Sequence, residues 1–123
     1  MADSDYARAS VALYDPVHVN LRTTRYALQQ IGFRDIASIS AFKDLKRAVQ
    51  DDAPHLVIAE ASDHEAELFR LVRAIRSGDL SNNPFCCILV TSWKRDTNLV
   101  RQAVGCGADD VIIRPFSTSF AEE

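Results

Sequence analysis

Five short apolar runs alternate along the chain with four stretches in which apolar residues recur at helical spacing, and this alternation narrows the possible folds more than any other feature. The runs fall at 11–14, 36–39, 56–59, 85–90 and 111–113, and they are rich in Val, Ile and Leu without clean polar alternation. Strands buried on both faces of a parallel sheet have this composition. Between the runs, Leu21, Thr24, Leu28 and Ile31 share one helical face. So do Phe42, Leu45 and Val49, then Leu68, Val72 and Ile75, then Leu99, Val100, Ala103 and Val104. Strands and helices in strict alternation predict an α/β fold around a parallel sheet. With 123 residues the chain has the length of one domain.

Punctuation removes several function classes. Gly32, Gly78, Gly105 and Gly107 all follow predicted helices, where a left-handed cap is wanted, and no glycine follows a strand. Phosphate-cradling loops need glycine between a strand and the next helix, so nucleotide and dinucleotide binding lose support. Pro54 and Pro84 open the third and fourth runs, whereas Pro16 and Pro115 close the first and fifth. The net charge of −3 argues against nucleic-acid and membrane-surface partners. No apolar run approaches the length that spans a bilayer, and the first ten residues do not resemble a secretion signal, so a soluble, cytoplasmic protein is expected. Three cysteines without metal-type spacing predict buried, reduced thiols. His18, His55 and His64 lack a third ligand partner, so no metal site is expected. The serines lack a partnered base, so hydrolase chemistry finds no support.

In an open α/β sheet the functional site lies beyond the carboxyl ends of the strands. The residues at those ends are Asp15, Glu60, Thr91 and Arg114. Two carboxylates on one rim repel, and a cation between them relieves the repulsion. Arg70, Arg73 and Arg76 step along the third helix, interleaved with Glu65 and Glu67, and read as a solvated face.

The order and spacing of several short segments carry a family resemblance. They are Leu13-Tyr14-Asp15, Ile31-Gly32-Phe33, Leu56-Val57-Ile58-Ala59-Glu60, Ala74-Ile75-Arg76, Val90-Thr91-Ser92, Gly107-Ala108-Asp109-Asp110 and Arg114-Pro115-Phe116. Over residues 10–116 the chain resembles the receiver domains of bacterial two-component response regulators, the family of the chemotaxis response regulator. The resemblance implies a flavodoxin-like, three-layer, doubly wound sheet of five parallel strands in the order 2-1-3-4-5. It also implies an aspartyl-phosphate switch that requires Mg²⁺.

The chemistry-bearing positions depart from the family. Glu60 stands where the phosphoacceptor Asp belongs, and the acidic pair that holds Mg²⁺ is reduced to Asp15 followed by Pro16. Arg114 replaces the family's lysine, Thr91 keeps the hydroxyl, and Val111 replaces the aromatic switch residue. A vestigial rim is expected, with weak or absent Mg²⁺ binding, no cofactor and no catalytic residue. The expected function is an atypical receiver that signals by protein contact, with a histidine kinase or an effector domain as partner. Trp93, Lys94 and Arg95 follow Thr91 in the loop that relatives use for partners and are a candidate contact. Two alternatives are a receiver phosphorylated on Glu60 and a small-ligand sensor with a pocket at the altered rim. Residues 1–9 are expected to form a flexible tail ahead of a receiver-like domain at 10–123. Its last helix is incomplete, so a longer protein is expected. Leu21, Leu28 and the fifth strand should then stay partly bare and support a homodimer through the fourth helix, the fifth strand and the stub.

Overall fold

The computed structural model describes residues 6–62, 64–80 and 83–115. Five strands alternate with four helices: β1 (Ser10–Tyr14), α1 (His18–Ile31), β2 (Asp35–Ile39), α2 (Phe42–Asp52), β3 (Leu56–Glu60), α3 (Glu65–Ser77), β4 (Cys87–Ser92), α4 (Thr97–Cys106) and β5 (Asp110–Ile113). The strands form one sheet in the order β2-β1-β3-β4-β5. Every neighbouring pair is parallel. The α/β class and the strand order expected from the sequence are those observed.

Alternation along each strand divides the core in two. Ala12, Tyr14, Val57, Ala59, Ile88 and Val90 point to the face covered by α2, α3 and α4, where the larger apolar cluster lies. Val11, Leu13 and Ile58 point to the opposite face, where Leu21, Leu28 and Ile31 of α1 complete a smaller cluster with Phe33 and Ile36. Leu21, Thr24, Leu28 and Ile31 are the buried residues of α1, the four that its spacing predicts. Leu21 and Leu28 are therefore not bare, contrary to the sequence expectation: the single apolar stripe of α1 is covered by the strands themselves. On β5, at the sheet edge, Val111, Ile112 and Ile113 are only partly covered.

Other expectations need correction. Phe85 lies outside β4 and is 90% exposed. The carbonyls of Pro84 and Cys86 accept from Arg76, so the chain there serves the guanidinium and not the sheet ladder. Cys87 is exposed, against the expectation of buried thiols, while Cys86 and Cys106 are buried. Val100 and Val104 of α4 are exposed as well. Leu99, Ala103 and Cys106 form the buried stripe, and the two valines sit one residue round the helix, about 100° away. Gly105 lies within α4, whereas Gly32, Gly78 and Gly107 end α1, α3 and α4 with positive φ. Gly107 has a second constraint, since a Cβ there would come 2.6 Å from Cγ of Arg76.

Arg76 is the largest departure from the sequence reading. It is not part of a solvated face: its Nε donates to Gly107 O at 2.8 Å, its Nη1 to Pro84 O at 2.8 Å and Cys86 O at 2.6 Å, and its Nη2 to Asp109 at 2.9 Å. The same carboxylate accepts from Ile88 N–H. One side chain thus ties the end of α3 to the start of β4 and the approach to β5. Arg70 and Arg73 are exposed, as expected. Of the segment expected to be a tail, residues 6–8 form a helical turn, and the Tyr6 ring packs on Phe33 with centroids 4.9 Å apart. The expected stub helix, with Phe116, lies outside the described residues.

Candidate functional site

The strand parity that splits the core also gathers the rim. Asp15 continues the line of Val11 and Leu13, Glu60 that of Ile58, and Thr91 that of Leu89, so all three emerge on the α1 side of the sheet. Glu60 is paired in register with Thr91, and Thr91 with Ile112. The Arg114 N–H donates to Ser92 O at 2.7 Å, which extends the ladder one residue past β5 and aims the guanidinium inward. Asp15 N–H bonds to Ile39 O and Ala61 N–H to Thr91 O, so the backbone on both sides of the rim is fixed.

The four strand-end residues converge. Arg114 Nε donates to Glu60 Oε1 at 2.9 Å, and Thr91 Oγ1 donates to the same oxygen at 2.6 Å. Arg114 Nη2 lies 3.3 Å from Asp15 Oδ2. Asp15 Oδ1 accepts from Val17 N–H at 2.9 Å, a short Asx-type turn across Pro16. Asp15 and Thr91 are fully buried, Glu60 is 5% exposed and Arg114 7%. The Arg114–Glu60 pair is buried, and there desolvation is the controlling cost. Burial raises the pKa of the Glu60 carboxyl above its ordinary value, opposed by the bonds from Thr91 and Arg114. Burial raises Asp15 likewise, opposed by the Val17 N–H and the Arg114 charge. Two carboxylates share one guanidinium, and burial opposes the ionisation of both.

These residues do not fit a Mg²⁺ ion. Pro16 offers no carboxylate, and the Arg114 guanidinium already lies between Asp15 and Glu60, where a divalent cation would meet a like charge. Among the described residues no cluster of three or more His, Cys, Asp or Glu is arranged to hold a metal.

The other candidates lie apart. Trp93, Lys94 and Arg95 are exposed in the loop before α4, with Trp93 at 53%. Val111 is half-buried against the larger cluster. His64, at the start of α3, bonds to Glu67 at 2.9 Å. His55, at the far end of the sheet, accepts from Ser10 N–H at 3.0 Å. The sequence reading overlooked Asn20 and Thr24 of α1, which border a cavity beside Arg114. The signal was present: Thr24 is the one polar residue in the buried stripe of α1.

No protein-family model matches the sequence. A curated relative, a probable chemotaxis protein CheY of Rhizobium etli, is 25% identical over 91 residues, 74% of this chain and 69% of that protein. Among solved structures, a response regulator from Thermotoga maritima aligns with a TM-score of 0.78 at 23% identity, covering 93% of this chain and 91% of that one. The receiver domain of the putative response regulator NarL from Mycobacterium tuberculosis aligns at 0.80 with 15% identity, over 93% and 90%. CheY in a CheX–CheY–BeF3–Mg complex from Borrelia burgdorferi aligns at 0.78 with 13% identity, over 92% and 83%. In strand order, in overall shape and in its likeness to CheY over three quarters of its length, the chain has the fold of response-regulator receiver domains.

Proposed function

We propose that this chain is a receiver-type signalling module that works by protein contact, its rim held by an internal cation in place of metal-dependent phosphorylation. The observation that carries this reading is the Arg114 guanidinium bonded to Glu60 and 3.3 Å from Asp15, with Thr91 donating to the same Glu60 oxygen. In a phosphorylating receiver a carboxylate at the end of β3 must attack a phosphoryl group while a divalent ion offsets the charge. Here that carboxylate is one methylene longer, its oxygen is engaged by two donors, and the position for the ion is taken. Misplacement of a nucleophile on this scale can cost on the order of 10²-fold in rate. Strands β3, β4 and β5 are instead joined through one carboxylate, which fixes the relative positions of their ends. The arrangement extends to the Trp93–Arg95 loop and to α4, whose Val100 and Val104 stay exposed for a protein partner, a second copy included.

Intact mass spectrometry with acetyl phosphate, beside NMR titration with Mg²⁺ and beryllofluoride, tests the reading. No phosphorylated species and no Mg²⁺-dependent shift at the rim are expected. A stable phosphoryl adduct, or saturable mimic binding that requires Mg²⁺, overturns it.

A further inference from the structure

A groove of about 560 Å³ runs between α2 and α3. Its apolar floor is made by Leu71, which is buried, and by Phe42, Ala74 and Leu80, which are half-buried. The Phe42 ring meets Tyr14 edge-on with centroids 5.8 Å apart, so this wall is held by the core. Lys43 and Lys46 of α2 and Arg70 of α3 stand at the borders of the groove, all three exposed. Among the described residues none of these cations is in a salt bridge. The two carboxylates of the lining are already engaged: Glu67 bonds to His64 at 2.9 Å, and Asp79 accepts from the Ser77 hydroxyl at 3.0 Å. The groove therefore joins an apolar floor to a border of three uncommitted cations.

From this arrangement we infer that the α2–α3 groove is a docking surface for a short acidic, amphipathic segment of a partner protein. Its apolar side chains cover Phe42, Leu71 and Leu80, and its carboxylates meet Lys43, Lys46 and Arg70. An apolar centre inside an exposed polar border is the anatomy of a protein interface. A small-molecule site instead encloses most of its ligand and orients it with recessed polar groups, and this floor carries no polar side chain. From Glu67 to Ala74 the α3 wall runs about 10 Å, at ~1.5 Å per residue, which admits two apolar anchors one helical turn apart. A second copy is disfavoured, because a two-fold contact through this face brings the cations against their own counterparts. A nucleic acid gains nothing from the apolar floor and meets a chain of net charge −3, and a flat bilayer does not reach the recessed Leu71. The groove shares no residue with the rim or with the Trp93–Arg95 loop. It adds a second contact surface to the protein-contact reading and stands whether or not the rim takes up phosphate.

The test selects random phage-displayed peptides of about twelve residues, ~18 Å as a helix, against the protein, with a Lys43→Glu/Lys46→Glu/Arg70→Glu variant as counter-selection. Enriched sequences are expected to combine carboxylates with apolar residues. The synthetic peptide should shift the amides of Lys43, Lys46, Arg70 and Ala74 saturably in ¹⁵N-labelled protein, and its binding should weaken with salt. Lys43→Glu/Lys46→Glu, at exposed positions, should weaken it about tenfold, whereas Lys43→Arg/Lys46→Arg and the exposed Arg34→Glu outside the groove should not. The inference is overturned if no sequence is enriched, if the enriched sequences lack carboxylates or bind elsewhere, or if the charge reversals leave binding intact. It is also overturned if decanoate shifts the same amides at lower concentration than the peptide, which makes the groove a small-amphiphile site. Self-association of the parent that the charge reversals abolish makes the occupant a second copy and overturns it too. None of these outcomes touches the phosphorylation experiment, so the two readings fall separately.

Discussion

Two arginines hold opposite ends of the same sheet, and their partners make them different devices. Arg76, below the amino ends of β4 and β5, is matched by three backbone carbonyls and the half-exposed Asp109. Arg114, at the carboxyl ends, is matched by two buried carboxylates and a shared hydroxyl bond. Backbone carbonyls do not titrate, so three of the four Arg76 partners are the same at any pH. The Arg114 cluster carries one carboxylate more than it has cations, in a place where burial favours the neutral acid. The first is a clamp, and the second can be set differently by a proton.

The sharpest way to break this comparison is to remove each guanidinium in turn. Arg114→Met leaves Asp15 and Glu60 buried together with no counter-charge, and losing one member of a buried ionic cluster costs about 3–5 kcal/mol. The loss should be largest at neutral pH and shrink in mild acid, where protons replace the cation. Urea unfolding at the two pH values measures it. An equal loss at both would mean that the carboxylates do not control the rim.

The second effect is smaller and flat. Arg76→Met removes four donor contacts, three of them to backbone carbonyls that do not titrate, so about 2–3 kcal/mol is expected with little change between neutral and mildly acidic pH. Arg76→Lys should recover only part of this, because an ammonium cannot reproduce the planar fork that reaches Gly107, Pro84, Cys86 and Asp109 together. A pH-dependent loss as steep as that of Arg114→Met would erase the distinction between the two ends.

The two ends also differ in how far the sequence reveals them. Arg114 was found because its partners are side chains at corresponding strand ends, and strand-end residues can be read from the order of the apolar runs. Arg76 was misread because three of its partners are carbonyls, which carry no residue type. Only Asp109, two residues after Gly107, hinted at them. The buried stripe of α1 was legible because one polar residue interrupts a single apolar period, whereas α4 carries two adjacent apolar stripes and the sequence does not say which one faces the sheet. Phe85 reads as strand by its apolar side chain, yet the neighbouring carbonyls are recruited by Arg76 and the ring is left in solvent. That the rim is buried, and hence that its proton matters, depends on how Pro16, α1 and the β5 end close over it, which no local pattern encodes.

The smallest effect is the most informative about the rim. Glu60→Gln keeps an oxygen acceptor for Thr91 and Arg114 while removing the charge. Because burial raises the folded pKa of Glu60, the folded protein holds that proton more firmly than the unfolded chain does. The stabilisation this provides is fully present below the ordinary value of 4.5 and is lost as pH rises through the folded value. Glutamine has no proton to lose. The stability of the variant relative to the parent should therefore climb as pH rises from 4.5, by at most about 1.4 kcal/mol per pH unit, and then level off above the folded value. Paired urea titrations from pH 4 upward follow the difference directly, with contributions from distant groups cancelling. A difference that falls with pH would mean that Arg114 holds Glu60 ionised more strongly than burial opposes it, and the carboxyl end would then be a clamp of the same kind as the one at Arg76.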